Sequence, residues 1–224
     1  MKNLVALLPM KANSERVAGK NFKEIAGKPL LNWVLDELLL IPEIDLIVIN
    51  TDARRILHSL GVFDSNKICI RERKRELCGD FISMNAVLAD DVMNVASRYY
   101  MMTHTTNPLI RSSTIKKSLA QFTSNETCGL CDSMFSVNKV QSRFYARDGS
   151  SVNHDSGVLC RTQDLEPWFE ENSALYFFSR QAFIKTSARI GERPIMFETP
   201  PLESIDIDTL DDWKLAEALL CQRT

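Results

Sequence analysis

The chain has 224 residues, 45% of them hydrophobic, and a formal net charge of -2. This length suits one domain with a sizeable core rather than two full domains, and the charge provides no basic face for a nucleic acid polymer. No apolar run is long enough for a membrane helix or for the core of a signal peptide, so we expect a cytoplasmic protein that does not associate with membranes. Six cysteines at irregular positions fit reduced thiols rather than a disulfide framework.

The first predicted elements are a buried strand from Leu4 to Leu8 and a helix with Pro29 at its first position. The loop between them has an excess of positive charge, and Gly19 and Gly27 allow its backbone to bend sharply. Backbone amides in a bent loop, together with fixed cations, favour a phosphate ligand, whereas a solvated, lysine-rich surface loop is the alternative. The charged residues of this loop are Lys11, Glu15, Arg16, Lys20, Lys23, Glu24 and Lys28.

Strand and helix patterns then alternate, which predicts an α/β fold with a mainly parallel sheet and helices on both faces. In such open sheets ligands bind beyond the carboxyl ends of the strands. The predicted strands are Leu46 to Asn50, Lys67 to Arg71, Tyr99 to Thr103, Cys128 to Val137, Ala174 to Phe178 and Pro194 to Phe197. The predicted helices are Ala53 to Leu60, Ile82 to Val95, Ser113 to Phe122, Arg180 to Thr186 and Leu210 to Leu220.

Two carboxylates near the end of the chain, Asp206 and Asp208, have one apolar residue between them. In an extended backbone both point to the same side and can share a hard cation, so we expect them to bind Mg²⁺. Helix capping by Asp208 or Thr209 is the alternative, but capping does not account for Asp206. The Cys128 and Cys131 pair is not predicted to bind metal, since no second pair of ligands has suitable spacing.

The first loop lacks both G-x-x-x-x-G-K-[ST] and G-x-G-x-x-G, which argues against a P-loop ATPase and a standard dinucleotide-binding protein. Its Ser14, Arg16, Lys20 and Asn21 instead match S-x-R-x-x-x-K-N. In this motif the chain resembles the acylneuraminate cytidylyltransferases, which make CMP-sialic acid and related CMP-sugars. The resemblance implies a single domain over residues 1–224 with a three-layer α/β/α, Rossmann-like nucleotidyltransferase fold.

Further motifs extend the resemblance over nearly the whole chain, including S-I-D-I-D-T near its end and an N-x-A-x-Y strand that begins at Asn172, where Ser173 replaces the glycine of the family. His104 stands where the family commonly has glutamine, and it is either a structural residue or a general base. The resemblance implies that the nucleotide is bound by Lys11, Asn13, Ser14, Arg16, Lys20, Asn21, Arg71, Asp80 and His104. The catalytic residues that it implies are Lys20, Arg16 and Asp206.

From Asn138 to Glu171 the alternation stops, and a featureless loop of this length is unusual inside a compact domain. The resemblance implies that residues 138–171 form a dimerisation arm that reaches into the sugar site of a partner copy. Exposed aromatic side chains in this polar segment also favour a homodimer interface. The substrate-binding residues implied for the acidic sugar are Asn107, Arg143, Arg161, Gln163 and Asn172, although Asn172 is equally suited to a turn.

Together these observations predict a cytidylyltransferase that transfers CMP from CTP to an acidic sugar and releases pyrophosphate. A nicotinamide-dependent reductase would share the α/β pattern but should have a glycine fingerprint after Leu8, and none is present. A catalytically silent nucleotide-binding relative, or a nucleotidyltransferase with a different acceptor, is the remaining alternative. The sequence does not identify the sugar.

Overall fold

The computed structural model describes residues 2–13, 17–79 and 81–223. In these ranges seven strands form one sheet in the order β5-β4-β1-β6-β8-β7-β9. Strand β8 is antiparallel to its neighbours β6 and β7, and the other pairings in the sheet are parallel. The elements are β1 (Lys2–Leu7), β2 (Glu24–Ile25), β3 (Lys28–Pro29), α1 (Leu30–Leu39), β4 (Leu46–Thr51), α2 (Arg54–Ser59), β5 (Ile68–Glu72), α3 (Met84–Asn94), β6 (Ser97–Met102), α4 (Ser112–Thr127), β7 (Ser133–Val140), β8 (Trp168–Ser179), α5 (Arg180–Thr186), β9 (Pro194–Glu198) and α6 (Leu210–Cys221).

The sheet is buried on both faces, as the apolar sequence of its central strand β1 requires. Leu4 and Ala6 belong to a core cluster shared with α1 and α4, whereas Val5 and Leu7 belong to a second cluster shared with α3 and α5. Successive side chains of a strand point to opposite faces, so one short strand contributes to both cores. The result is the predicted arrangement of a sheet between two helical layers.

A third core cluster holds α6 against the short β2 and β3 hairpin, and it determines where the last loop of the chain lies. Ile207 is fully buried in this cluster together with Trp33 and Trp213. Helix α6 begins with a capping box in which the Thr209 side chain accepts from the Asp212 amide and the Asp212 carboxylate accepts from the Thr209 amide. The extended segment just before this cap is therefore fixed at both ends.

Two strands begin away from their predicted positions, since β8 begins at Trp168 rather than at Ala174 and β7 begins at Ser133 rather than at Cys128. Helix α4 continues to Thr127, five residues past the predicted end at Phe122, and β7 begins only at Ser133. Gly129 has φ +71, the left-handed conformation that commonly ends a helix, and the apolar residues around it had suggested a strand. Both Cys128 and Cys131 are free thiols.

The irregular segment of the predicted arm is shorter than the expected range 138–171. Strand β7 extends to Val140, which pairs with Trp168 at the start of β8, so that residues 141–167 form the excursion beyond a closed strand pair. Among the described residues, no helix has both the length and the apolar character needed to span a membrane.

Candidate nucleotide site

A cleft of about 340 Å³ opens at the carboxyl ends of β1, β5 and β6. The chain passes from β1 outward through β4 to β5 and then returns to β6 on the other side of β1. This reversal of strand order creates the crevice in which open α/β sheets bind ligands. Its lining includes Lys11, Lys20, Arg73, His104 and Thr105.

The first loop continues the line of β1 and is held at the sheet edge by its backbone. The amide of Met10 donates to the carbonyl of Asn50 at 3.0 Å, and the amide of Ala12 donates to the Asp52 carboxylate at 2.7 Å. The Asp52 carboxylate therefore fixes the entry of the predicted phosphate-binding loop.

Lys20 and Asn21 are the most firmly held polar residues of this loop. Both are buried, and they follow Gly19, whose φ of +61 turns the chain back toward the cleft. The Asn21 amide group donates to the Lys11 carbonyl at 2.8 Å and accepts from the Thr105 hydroxyl at 2.6 Å. Asn21 therefore joins the first loop to the loop after β6, which is a positioning role.

Lys20 connects the first loop to the predicted metal site. Its Nζ donates to the carbonyl of Ile207 and lies 3.5 Å from Oδ1 of Asp208. Burial, first, and the nearby Asp208 carboxylate raise the pKa of Asp206, whereas a hydrogen bond from Thr106 and the charge of Lys20 oppose the rise. The structure thus brings Lys20, Asp206 and Asp208 together, although 187 residues of chain separate Lys20 from Ile207.

The Asp206 and Asp208 pair fits a hard cation. Oδ1 of Asp206 is buried and has no hydrogen-bond partner among the described residues, which is costly unless a ligand supplies one. Ile207 is fully buried between the two aspartates, so the alternation places both carboxylates on the opposite side from the core. No group of three or more metal-binding side chains occurs in the described ranges. Two carboxylates are a donor set that fits Mg²⁺, because that ion keeps sites for water and phosphate oxygens.

His104 lines the cleft as predicted, in a setting that favours its neutral form. Burial, first, and the charges of Arg189 and Lys20 together lower its pKa to about 4, and the Asp208 carboxylate opposes them. At neutral pH the imidazole is therefore uncharged and offers one donor and one acceptor. Its role as a base or a nucleotide contact stays a prediction.

The basic segment after β5 places a different arginine in the cleft from the one that the sequence singled out. Arg71 forms an ion pair with Asp90 at 2.7 Å and lies 3.4 Å from Asp91, both on α3, and it is not part of the lining. Arg73 lies two residues further along and does line the cleft. It is buried and donates to the side chain and carbonyl of Asn50 at 2.9 and 2.8 Å.

The sequence did not identify Arg73 as a cleft residue. Arg71 and Arg73 are two residues apart, so in an extended chain both side chains point to the same side and the pattern does not distinguish them. The acidic residues of α3 that engage Arg71 are distant in sequence. Asn50 is itself held by Asp91, whose carboxylate accepts from the Asn50 amide at 2.8 Å. The result is a buried polar network that orients Arg73 toward the cleft.

Three predicted nucleotide contacts, Ser14, Arg16 and Asp80, lie outside the described residues. Lys11 lines the cleft, and Asn13 is exposed and outside its lining. Gly79, next to Asp80, belongs to the lining. The basic loop and the segment after Arg73 therefore meet at the same opening.

Two asparagines predicted to contact substrate form hydrogen bonds within the chain. Asn107 is fully buried, and its Nδ2 donates to the Ile205 carbonyl at 3.4 Å, which supports the segment that carries the aspartates, while its Oδ1 has no hydrogen-bond partner among the described residues. Asn172 donates to Asn138 and Thr199 and accepts from Ser136 and from the Ala174 amide. These four bonds use its full capacity, so its side chain has none left for a sugar.

The arm residues Arg143, Arg161 and Gln163 do not line the cleft of their own subunit. Arg143 donates to the Cys160 carbonyl, and Arg161 forms a two-pronged pair with Asp164 at 2.8 and 2.9 Å. The Gln163 carbonyl accepts from Gln141 at 3.0 Å. All three are bonded within the arm.

A basic loop after the first strand and a carboxylate pair beside it, at the switch point of a parallel sheet, are the site of a nucleotidyltransferase. The family model described as cytidylyltransferase matches residues 5–223. The chain therefore belongs to the cytidylyltransferase family, and it is a nucleotidyltransferase. This confirms the resemblance and the enzyme class predicted from the sequence.

Curated relatives and solved structures agree with this assignment. The chain is 24% identical to pseudaminic acid cytidylyltransferase of Campylobacter jejuni over 98% of this chain and 96% of the relative. It is 26% identical to CMP-N,N'-diacetyllegionaminic acid synthase of Legionella pneumophila over 97% of this chain and 96% of that protein. The structure of CMP:2-keto-3-deoxy-manno-octonic acid synthetase complexed with CTP matches with a TM-score of 0.69 and 15% identity, covering 99% of this chain and 100% of that one, which confirms the Rossmann-like fold.

Proposed function

We propose that this enzyme transfers CMP from CTP to an acidic sugar and releases pyrophosphate. The observation that carries the proposal is the contact of buried Lys20, which lines the cleft, with the segment of Asp206 and Asp208 beside the cleft. The two relatives are named for their nonulosonic acids, which are pseudaminic and legionaminic acid. An acidic sugar is accordingly the acceptor class that we assign to this chain.

In the proposed reaction a hydroxyl of the acceptor attacks the α-phosphorus of CTP. A new oxygen to phosphorus bond forms, the bond to the pyrophosphate oxygen breaks, and the hydroxyl proton leaves. Lys11, Arg16 and Lys20 neutralise the triphosphate and the departing pyrophosphate, which is the main electrostatic demand of such a transfer. The carbonyl of Ile207 holds the Lys20 ammonium in place before substrate binds, so little reorganisation is needed.

Asp206 and Asp208 would hold Mg²⁺, and the orphaned Oδ1 of Asp206 supports this assignment. When bound, the ion supplies charge neutralisation and orients phosphate oxygens.

We further propose a homodimer in which the arm, residues 141–167 with its flanking strand ends, contacts the second copy. Support comes from large apolar side chains that this region leaves exposed. They are Tyr145, Val152, Val158, Leu159, Trp168 and Phe169. A cytoplasmic location fits the six cysteines, all of which are free.

The proposed function is tested by measuring pyrophosphate release with each nucleoside triphosphate against a panel of nonulosonic and other 2-keto-3-deoxy sugar acids. CTP with Mg²⁺ and at least one acidic sugar should support turnover far better than ATP, GTP or UTP. Equal turnover with UTP would contradict the cytidylyl assignment. Stabilisation by CTP without pyrophosphate release from any acceptor would instead indicate a silent binding protein.

A further inference from the structure

Arg189, on the loop between α5 and β9, is a partly buried cation with few partners. Its side chain is 21% exposed, and its Nη2 lies 3.5 Å from Oε1 of Glu171. Its Nη1 contacts the sulfur of Met102 at 3.7 Å. A guanidinium has five N–H donors, and in residues 2–13, 17–79 and 81–223 these are the hydrogen-bond and ion-pair contacts of the side chain. Most of its donors therefore remain for a ligand.

The position of Arg189 is nonetheless well determined. The guanidinium lies over the ring of Tyr176, with 3.8 Å between its central carbon and the ring centroid. The hydroxyl of Tyr176 donates to Glu171 and lies 3.2 Å from the Ser173 hydroxyl, so the ring is fixed in turn. The backbone amide of Arg189 donates to the Asn85 side chain on α3 at 3.2 Å. A planar cation held this way is prepared to bind an anion in a defined orientation.

Arg189 lies beside the nucleotide cleft. Met102, which its guanidinium contacts, ends β6 two residues before His104. His104 and Met84, the neighbour of Asn85, both line the cleft. Arg189 is also the largest influence after burial that lowers the pKa of His104. Arg189 is not itself part of the lining, but an anion bound to it would lie next to the cleft and near His104.

We infer that Arg189 binds the carboxylate of the acceptor sugar and thereby determines specificity for acidic acceptors from within the same subunit. The triphosphate already has Lys11 and Lys20 in the first loop, whereas the arm's Arg143 and Arg161 bond to Cys160 and Asp164 within the arm. Arginine suits a carboxylate because its planar fork can make two parallel hydrogen bonds. The inference rests on the proposed function, because it names what recognises the charge of the proposed acceptor.

The test combines Arg189 variants with two acceptors, an acidic sugar that supports turnover and its carboxamide. Arg189→Met should lower kcat/KM for the acid by about 10- to 100-fold, as expected for a lost charge-assisted bond, and should leave the directly measured Kd for CTP within about 2-fold. The wild type should prefer the acid to the carboxamide, and the methionine variant should lose this preference. Lys185→Gln, which removes an exposed cation paired with Glu192 on the same segment, is the matched control and should change neither value.

Arg189→Lys keeps the charge over the Tyr176 ring but not the fork, so it should retain an intermediate preference for the acid. Arg189→Lys also serves as the test variant if Arg189→Met is not folded under the assay conditions. A methionine or lysine variant that keeps the full preference for the acid over the carboxamide would overturn the inference. A variant that instead loses affinity for CTP would also overturn it, since Arg189 would then bind the phosphates. Absence of turnover by the wild type with every acidic sugar refutes the proposed function itself, and that result precedes any comparison of variants.

Discussion

The cleft and the arm both contain basic side chains, but the two regions hold them differently. In the cleft, Lys20 and Arg73 are buried, and each is bonded to groups far away in the chain. In the arm, Arg161 is 73% exposed and pairs with Asp164 only three residues further on. Prepositioned charges favour catalysis because little is reorganised during the reaction. The cleft therefore has buried cations that are held in place by the chain itself, whereas the basic side chains of the arm lie on an exposed surface.

The apolar residues of the two regions support the same distinction. Behind the cleft, Ile207 and Val5 are fully buried in core clusters. In the arm, Leu159 is 94% exposed, and the stacked pair of Phe144 and Trp168 lies at its base. Such surface is costly to leave in water, and a second copy of the chain would cover it. The comparison thus predicts that changes in the arm affect assembly and that changes in the cleft affect chemistry.

The largest effect is expected from removing the arm. Replacing residues 141–167 by an Asn-Gly turn joins Val140 to Trp168, which already pair across the strands, so the sheet should remain intact. We expect a monomer that still gains thermal stability from CTP but releases no pyrophosphate. Sedimentation measures the assembly, and melting with and without CTP measures the nucleotide site. A monomeric wild type with full activity would contradict the division between the two regions.

A mixing experiment shows whether the arm serves the partner's site. An Arg143→Gln variant and an Asp206→Asn variant, each inactive alone, should regain about a quarter of wild-type activity when subunits exchange at random. Half of the dimers are then mixed, and each mixed dimer has one intact site. Activity that stays at the level of the separate variants would mean that each subunit uses its own arm.

The next largest effect is expected at the carboxylates of the cleft. Asp206→Asn and Asp208→Asn should each lower turnover by about 100-fold or more with little change in melting temperature, because each removes a cation ligand without leaving a cavity. Asp211→Asn is the matched control, since Asp211 is exposed and pairs with Lys214 on the outside of α6. Mg²⁺ titration of activity should require higher concentrations in the first two variants only. Equal behaviour of all three would mean that the pair is structural.

A smaller effect should separate the two arginines of the segment after β5. Arg73→Lys should weaken CTP binding by about 10-fold, because the forked contact that orients the charge is lost. Arg71→Met should leave CTP affinity nearly unchanged but lower the free energy of unfolding by about 1–3 kcal/mol, since the buried carboxylates of Asp90 and Asp91 lose one cationic partner and keep Lys74 and Asn50. Calorimetric CTP titration and urea unfolding of both variants measure the two quantities. The reverse pattern would place Arg71 in the site.

The smallest effect concerns pH. Because the pKa of His104 is lowered to about 4, the unfolded chain binds this proton from about pH 6.5 downward while the folded chain does not, so stability falls as the pH falls through this range. His104→Gln removes that loss, and its stability relative to wild type should rise by on the order of 1–2 kcal/mol between pH 7.5 and pH 5. Burial raises the pKa of Asp91 to about 6, which acts with the opposite sign over the same range. The free energy of unfolding is therefore measured for the variant and the wild type at each pH. A constant difference between the two proteins over this range would contradict the predicted effect of His104.

The alternation of strands and helices was sufficient to predict a parallel sheet with helices on both faces, because apolar periodicity is a local property. It also placed Lys20, His104 and Asp206 correctly near one edge, since each follows or precedes a buried strand. The sequence could not distinguish Arg71 from Arg73, because the choice depends on acidic residues of α3 that fold against β5. Asn172 was misinterpreted for the same reason: its four partners lie as far away as Asn138 and Thr199.

Arg189 illustrates what local patterns cannot reveal. No motif marks it, and its significance depends on Tyr176, Glu171 and Met102, which are brought to it by two strands of the sheet. The end of α4 differs from Arg189, because Gly129 is a local sequence signal for the end of a helix and could have been used to predict it.

The bond from Lys20 to the carbonyl of Ile207 has a consequence for the newly made protein. During synthesis the phosphate-binding loop leaves the ribosome early, whereas Ile207 and the two aspartates follow only when the chain is almost finished. Contacts of such long sequence separation form late in folding. A chain interrupted before residue 205 would therefore have most of the sheet but no catalytic centre, so that incomplete copies in the cell should be unable to consume CTP.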